Sequence, residues 1–178
     1  MLLMIITVMA CLGAVAAFIG GGLEAGILAF IGGWIGWLMV AALVMLIASA
    51  VVDKDQEVEN DSKFYRWLTH ALIELAITVG RVKIKTEGLE KIPQEGRFLL
   101  VCNHLSDIDP ALLMHCFPKS QLAFIGKKET RDMPIIGAVM HKLMCQFVNR
   151  ENDREALKTI LRCIQIVKED KVSIGVFP

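Results

Sequence analysis

His104 is followed five residues later by Asp109, inside the string Asn103-His104-Leu105-Ser106-Asp107-Ile108-Asp109-Pro110. An imidazole titrates near neutrality and can take the proton of an alcohol. A carboxylate brought back by a turn can hydrogen-bond the second ring nitrogen. It then fixes the tautomer and stabilises the imidazolium that forms. The spacing alone is weak evidence: with four histidines and eight aspartates, chance supplies such a pair roughly one time in five. The plain alternative is a turn histidine beside an aspartate that only caps a helix. Asp107-Ile108-Asp109 also has the D-x-D form of a metal site in nucleotide-sugar glycosyltransferases, though nothing else in the chain supports a sugar-nucleotide site.

The elements around this string place it where ligands bind. Phe98 to Cys102 is a continuous apolar run and predicts a buried parallel strand. Asp109 reads as an N-cap with Pro110 at the first helical position, opening a short helix through Cys116. The free N–H groups of such a helix start suit an anionic group. Open α/β sheets bind ligands at this strand-to-helix junction. Upstream, the period of two from Arg81 to Lys85 predicts an edge strand, and Gly88 to Gly96 a turn region. Downstream, Leu122 to Ile125 predicts a strand, Asp132 to Met144 a helix, and Cys145 to Asn149 a strand. Asn152 or Asp153 then caps a helix with an apolar stripe of Leu157, Ile160, Leu161, Ile164 and Val167, and Val172 to Phe177 is a last strand. Strands alternating with helices imply an α/β class with a mostly parallel sheet flanked by helices.

The first third of the chain is different. Of 178 residues 54% are hydrophobic, and before Asp53 the only charged side chain is Glu24. Met1 to Ile19 and Ala25 to Val52 are uncharged apolar runs, the first reaching roughly 28 Å as a helix against a hydrocarbon core of about 30 Å. Gly20-Gly21-Gly22-Leu23-Glu24 suits a turn between them. The expected organisation is a transmembrane helical hairpin over 1–52, then a polar linker and amphipathic helix over 53–80, then an α/β domain over 81–178. A signal peptide is disfavoured, since no cationic segment precedes the first run. Lys54, Lys63 and Arg66 follow the second run, which puts the downstream domain on the cytoplasmic side of the cell membrane. The helix from Ser62 either lies on the bilayer or covers the sheet. Lys+Arg and Asp+Glu balance at 19 each, so charge gives no argument for nucleic acid. Five scattered cysteines without C-x-x-C spacing suit small apolar residues, not a disulfide or zinc framework.

With these residues in place, the chain resembles the glycerolipid acyltransferase family, specifically its bacterial 1-acyl-sn-glycerol-3-phosphate acyltransferases. A first block, N-H-x-S-x-x-D, is matched by Asn103, His104, Ser106 and Asp109. A second, K-K-E-L-x-x-x-P-x-x-G, is matched by Lys127, Lys128, Glu129, Pro134 and Gly137, with Thr130 in place of Leu. A third, G-x-x-F-I-x-R, is matched by Phe147 and Arg150, with Met144 in place of Gly. The fourth, F-P-E-G-T-R-S, begins at Phe177-Pro178, where the sequence stops. The chain is therefore expected to be truncated or incomplete.

The resemblance implies transfer of a fatty-acyl group from acyl-CoA or acyl carrier protein to the free hydroxyl of lysophosphatidic acid, giving phosphatidic acid in phospholipid biosynthesis. His104 would be the general base and Asp109 its orienting partner, with no acyl-enzyme. Lys128 and Arg150 would contact the acceptor's phosphate, and Asn103, Ser106 and Phe147 would complete the substrate site. No cofactor or metal is implied. The membrane segment suits a lipid acceptor and a lipid product. Rival readings are a non-catalytic membrane module or pseudoenzyme, and a related acceptor such as glycerol 3-phosphate or another lysolipid.

Overall fold

The computed structural model describes residues 2–93 and 95–177. Met1, Gln94 and Pro178 lie outside the described residues, and with Pro178 goes the proline of the fourth block. The chain forms two compact units, Met1–Val51 and Val52–Pro178.

In the first unit one helical element, α1 (Leu2–Ala50), is broken at Gly22, whose φ of 80° and ψ of −170° only glycine adopts freely. The chain folds back there. A Cβ on Gly26 would lie 3.2 Å from the Ala14 carbonyl oxygen, and one on Gly33 would lie 3.5 Å from the Ala10 Cβ. Small residues thus let the two arms approach closely, the usual device for helices packed in lipid. Most other large side chains of this unit face outward, Ile19 and Leu28 among them. By length and composition the element can cross a membrane.

The second unit begins with α2 (Lys63–Val79), then β1 (Leu99–Val101), α3 (Asp109–Cys116), β2 (Leu122–Lys127), α4 (Lys128–Asp132), α5 (Pro134–Lys142), β3 (Gln146–Val148), α6 (Asp153–Lys168) and β4 (Ser173–Val176). The four strands form one parallel sheet in the order β1-β4-β2-β3. Leu122, Ala123, Met144, Ile166, Val172 and Ile174 are almost fully buried and form the core. This is the α/β class expected of alternating strands and helices.

The helix over 63–79 covers the domain. Tyr65, Leu68 and Ile73 are buried, and α2 packs against α3 and α5. Arg66 on the same helix is buried as well. Its guanidinium donates twice to Asp61, at 2.8 and 3.0 Å, and once to the Leu122 carbonyl at 2.6 Å. The polar segment before it is tied to the helices that follow. Lys54 and Arg131 exchange side-chain-to-carbonyl hydrogen bonds at 2.8 and 2.7 Å, His141 Nε2 donates to the Gln56 carbonyl at 2.9 Å, and Arg162 pairs with Glu57 at 2.5 Å.

Several local expectations need correction. No strand forms over Arg81 to Lys85, which leaves β1 at the sheet edge, bonded only to β4. At that edge Leu99 and Val101 are about 60% exposed, so the strand after Phe98 is not buried. The helix expected from Asp132 to Met144 is two helices, α4 and α5, because Pro134 cannot continue a helix from Met133. On α6, Leu157, Ile160, Leu161 and Ile164 are exposed, and Cys163 and Ile166 are what it buries. The apolar arc of α6 is wider than the strip that touches β3 and β4.

Candidate active site

Because all four strands are parallel, their C-terminal ends lie along one edge of the sheet. β1 leads to Asn103 and His104, β2 to Lys128, β3 to Arg150 and β4 to Phe177. This is the edge at which open α/β sheets collect functional groups.

Three donors converge on one oxygen, Asp109 Oδ2. The Leu105 and Ser106 backbone N–H groups donate at 2.7 and 2.8 Å, and His104 Nδ1 lies 3.3 Å away. The turn is closed by the Asp109 N–H donating to the Ser106 carbonyl at 2.9 Å. Asp109 is therefore not the cap of α3: it lies within the helix's first turn, and its carboxylate turns back toward the loop. A carboxylate engaged by two upstream amides has no role left in capping the amides downstream. Those two backbone N–H groups, Ser106 first, hold the Asp109 carboxyl below the usual carboxylate range, and His104 adds to the effect. Asp109 is thus ionised whenever His104 needs a counter-charge.

With Nδ1–H directed at Asp109, Nε2 is left to accept a proton. At 3.3 Å the contact is long for a hydrogen bond. The ring's plane is set from the other side. The His104 and Phe177 rings lie 4.4 Å apart at 30°, and Phe177 stacks on Phe124 at 5.6 Å and 11°. Gly175 makes this aromatic column possible. It stands in register with Phe124, and a Cβ on it would lie 2.5 Å from the Phe124 ring. The Cys102 thiol beside this loop is pushed up by burial and by the Asp109 charge, which favours its protonated form.

The other residues expected to bind substrate are placed as follows. Ser106 serves the turn, its hydroxyl accepting from the Ile108 N–H at a long 3.5 Å. Asn103 is exposed at the start of the loop. Lys128 opens α4 and is exposed, Phe147 is half-buried in β3, and Arg150 is exposed in the turn before α6. The structure thus joins His104, Ser106 and Asp109 directly. Among the described residues, no hydrogen bond or ion pair links Lys128, Phe147 or Arg150 to them. Gly137 of the second block has a packing reason: a Cβ there would meet the Arg131 carbonyl oxygen at 2.1 Å, so glycine is needed for α5 to fold back over α4. Sequence reasoning missed the support that Phe177 gives His104, for which the available signal was its position as first residue of the fourth block. No three His, Cys, Asp or Glu side chains converge as a metal group among the described residues.

The profile of the family described as Acyltransferase matches residues 83–178. Curated relatives include a 1-acyl-sn-glycerol-3-phosphate acyltransferase of Borreliella burgdorferi, 26% identical, covering 62% of this chain and 44% of the relative. A probable 1-acyl-sn-glycerol-3-phosphate acyltransferase of Mycoplasma pneumoniae is 29% identical, covering 76% and 53%. A 1-acyl-sn-glycerol-3-phosphate acyltransferase of Bacillus subtilis is 27% identical, covering 64% and 55%. The chain spans about half the length of the curated relatives it matches. No solved structure matches it significantly.

Proposed function

The chain belongs to the acyltransferase family, and from that membership we propose that it moves a fatty-acyl group from a thioester donor to the free hydroxyl of lysophosphatidic acid. The observation that carries the reading is the His104–Asp109 contact at 3.3 Å, with Asp109 anchored by two backbone amides. In this reading His104 Nε2 takes the hydroxyl proton as the oxygen attacks the thioester carbonyl. The tetrahedral oxyanion collapses, the C–S bond breaks, and the imidazolium gives its proton to the leaving thiolate, which restores neutral His104. Asp109 holds the Nδ1–H tautomer and balances the imidazolium charge. The products are phosphatidic acid and the free thiol of acyl-CoA or acyl carrier protein. Lys128 and Arg150, at the same sheet edge, are the cations proposed for the acceptor's phosphate, Arg150 for its bidentate geometry. Asn103 and Phe147 are proposed to line the acceptor site.

The apolar α1 supports a membrane location, with the α/β domain on the cytoplasmic side where thioester donors are found. An acceptor and product that partition into the bilayer suit an enzyme tethered there. The test is to supply the protein that carries this chain with acyl-CoA and, in parallel, lysophosphatidic acid, glycerol 3-phosphate and lysophosphatidylcholine. The reading expects phosphatidic acid from the first as the dominant product. Faster acylation of either of the others would overturn the choice of acceptor.

A further inference from the structure

A cleft of about 480 Å³ runs along the edge strand β3 and contains neither His104 nor Asp109. That volume suits a small ligand or one end of a larger one. Five cationic side chains line it against three carboxylates. Two cations are neutralised within its walls: Arg131 pairs with Asp55 at 2.6 Å, and Arg162 with Glu57 at 2.5 Å. Lys54 donates to the Arg131 carbonyl, and Glu155 accepts from Asn149 at 2.8 Å. Among the described residues no side-chain hydrogen bond or ion pair holds Lys128 or Lys158, and the five cations lining the cleft outnumber its three carboxylates by two. The walls are preformed, because residues 54–57 are tied to α4, α5 and α6. A preformed cleft with excess positive charge concentrates anions.

We propose that this cleft holds the phosphorylated nucleotide end of a coenzyme A-type acyl donor, with Lys158 as its main cation. The proposal rests on the acyl-transfer reading, and the chemistry of the two substrates separates their phosphates. In lysophosphatidic acid only a three-carbon backbone separates the reacting hydroxyl from the phosphate, so that phosphate must bind beside His104. In a coenzyme A thioester a long flexible arm separates the thioester from the nucleotide phosphates. They need a site of their own, away from His104, and compact ammonium groups suit them. Lys128 and Phe147, proposed above for the acceptor, also line this cleft, so of its two unpaired cations only Lys158, on α6, is without another assignment and is given to the donor's phosphates.

The test is calorimetric titration of adenosine 3′,5′-bisphosphate into the full chain in detergent at low salt. Wild-type protein is expected to bind it, K158E to bind it about tenfold more weakly or worse, and K158A to fall between. Lys158 is exposed on α6, so both variants are expected to keep the wild-type circular dichroism. Glycerol 3-phosphate and inorganic phosphate should displace the nucleotide only weakly. Absence of binding to the wild type, binding by K158E equal to wild type, or displacement by glycerol 3-phosphate or inorganic phosphate as effective as that by the nucleotide itself overturns the proposal. The titration requires no turnover, so H104A should bind the nucleotide normally. An H104A protein that still transferred acyl groups would defeat the functional reading without touching the cleft.

Discussion

At the scale of residues the account turns on how one carboxylate oxygen is shared. Asp109 Oδ2 receives the Leu105 and Ser106 amides before it receives His104, so the aspartate builds the loop as well as orienting the imidazole. Replacing it by alanine should therefore do more than lose a charge. D109A is expected to release the Leu105 and Ser106 amides to fast hydrogen exchange and to lower acyl transfer by about 10²–10⁴-fold. Retained protection of both amides in D109A would contradict this. The same geometry fixes a pH response. The folded carboxyl lies below its ordinary 3.8, so its ordering of the loop is present above that value and is lost as pH falls through the lower folded value. In H104A, where no imidazole adjoins the carboxylate, amide shifts of Leu105 and Ser106 should stay constant from neutral pH down through the usual carboxylate range and move only below it. Movement centred at or above the ordinary value would contradict the assignment. The pairing of His104 with Asp109 was legible from spacing and turn context. The backbone donors were not, because a sequence carries no signal for which way a carboxylate at a helix start will turn.

At the scale of elements, two glycines position the site. Gly175 leaves room for the Phe124 ring, on which Phe177 and then His104 rest. G175A should push that column aside and slow acyl transfer with little change in substrate affinity; unchanged turnover would show that the column does not set the imidazole plane. Gly137 allows α5 to close over α4, and G137A is expected to cost about 1–3 kcal/mol by thermal or denaturant unfolding. A neutral effect there would mean that the Arg131 carbonyl yields easily. Helix α6 gives the opposite kind of case. Its sequence period locates the helix and Asn152 caps it, accepting from the Arg154 and Glu155 amides, but a hydrophobic stripe does not say how much of itself finds a partner. L157Q and L161Q are expected to stay within about 0.5 kcal/mol of wild type, whereas I166A should cost about 2–5 kcal/mol. Comparable losses at all three would show that the outer half of the arc is packed as well. Likewise the period of two at Arg81 to Lys85 is real in the sequence but forms no strand, because pairing depends on what lies beside β1.

At the scale of the whole molecule, charge sets an apolar first stretch apart, since no cation precedes Lys54, and the chain forms two compact units, Met1–Val51 and Val52–Pro178. The break at Gly22 and the close approaches of Gly26 to Ala14 and Gly33 to Ala10 give the apolar unit its hairpin form. The sheet order β1-β4-β2-β3 was not readable, because register and crossover order arise from packing among strands far apart in the chain. The parallel arrangement carries His104, Lys128, Arg150 and Phe177 to one edge of the sheet. If the account holds, that edge is where an acyl group changes hands, and His104 is the group that moves the proton. The most direct check is the initial rate of phosphatidic acid formation from acyl-CoA and lysophosphatidic acid, measured for the wild-type protein and for H104A at equal amounts of folded protein. The account predicts formation by the wild type and a fall of about 10²–10⁴-fold in H104A; an H104A rate equal to wild type would contradict it.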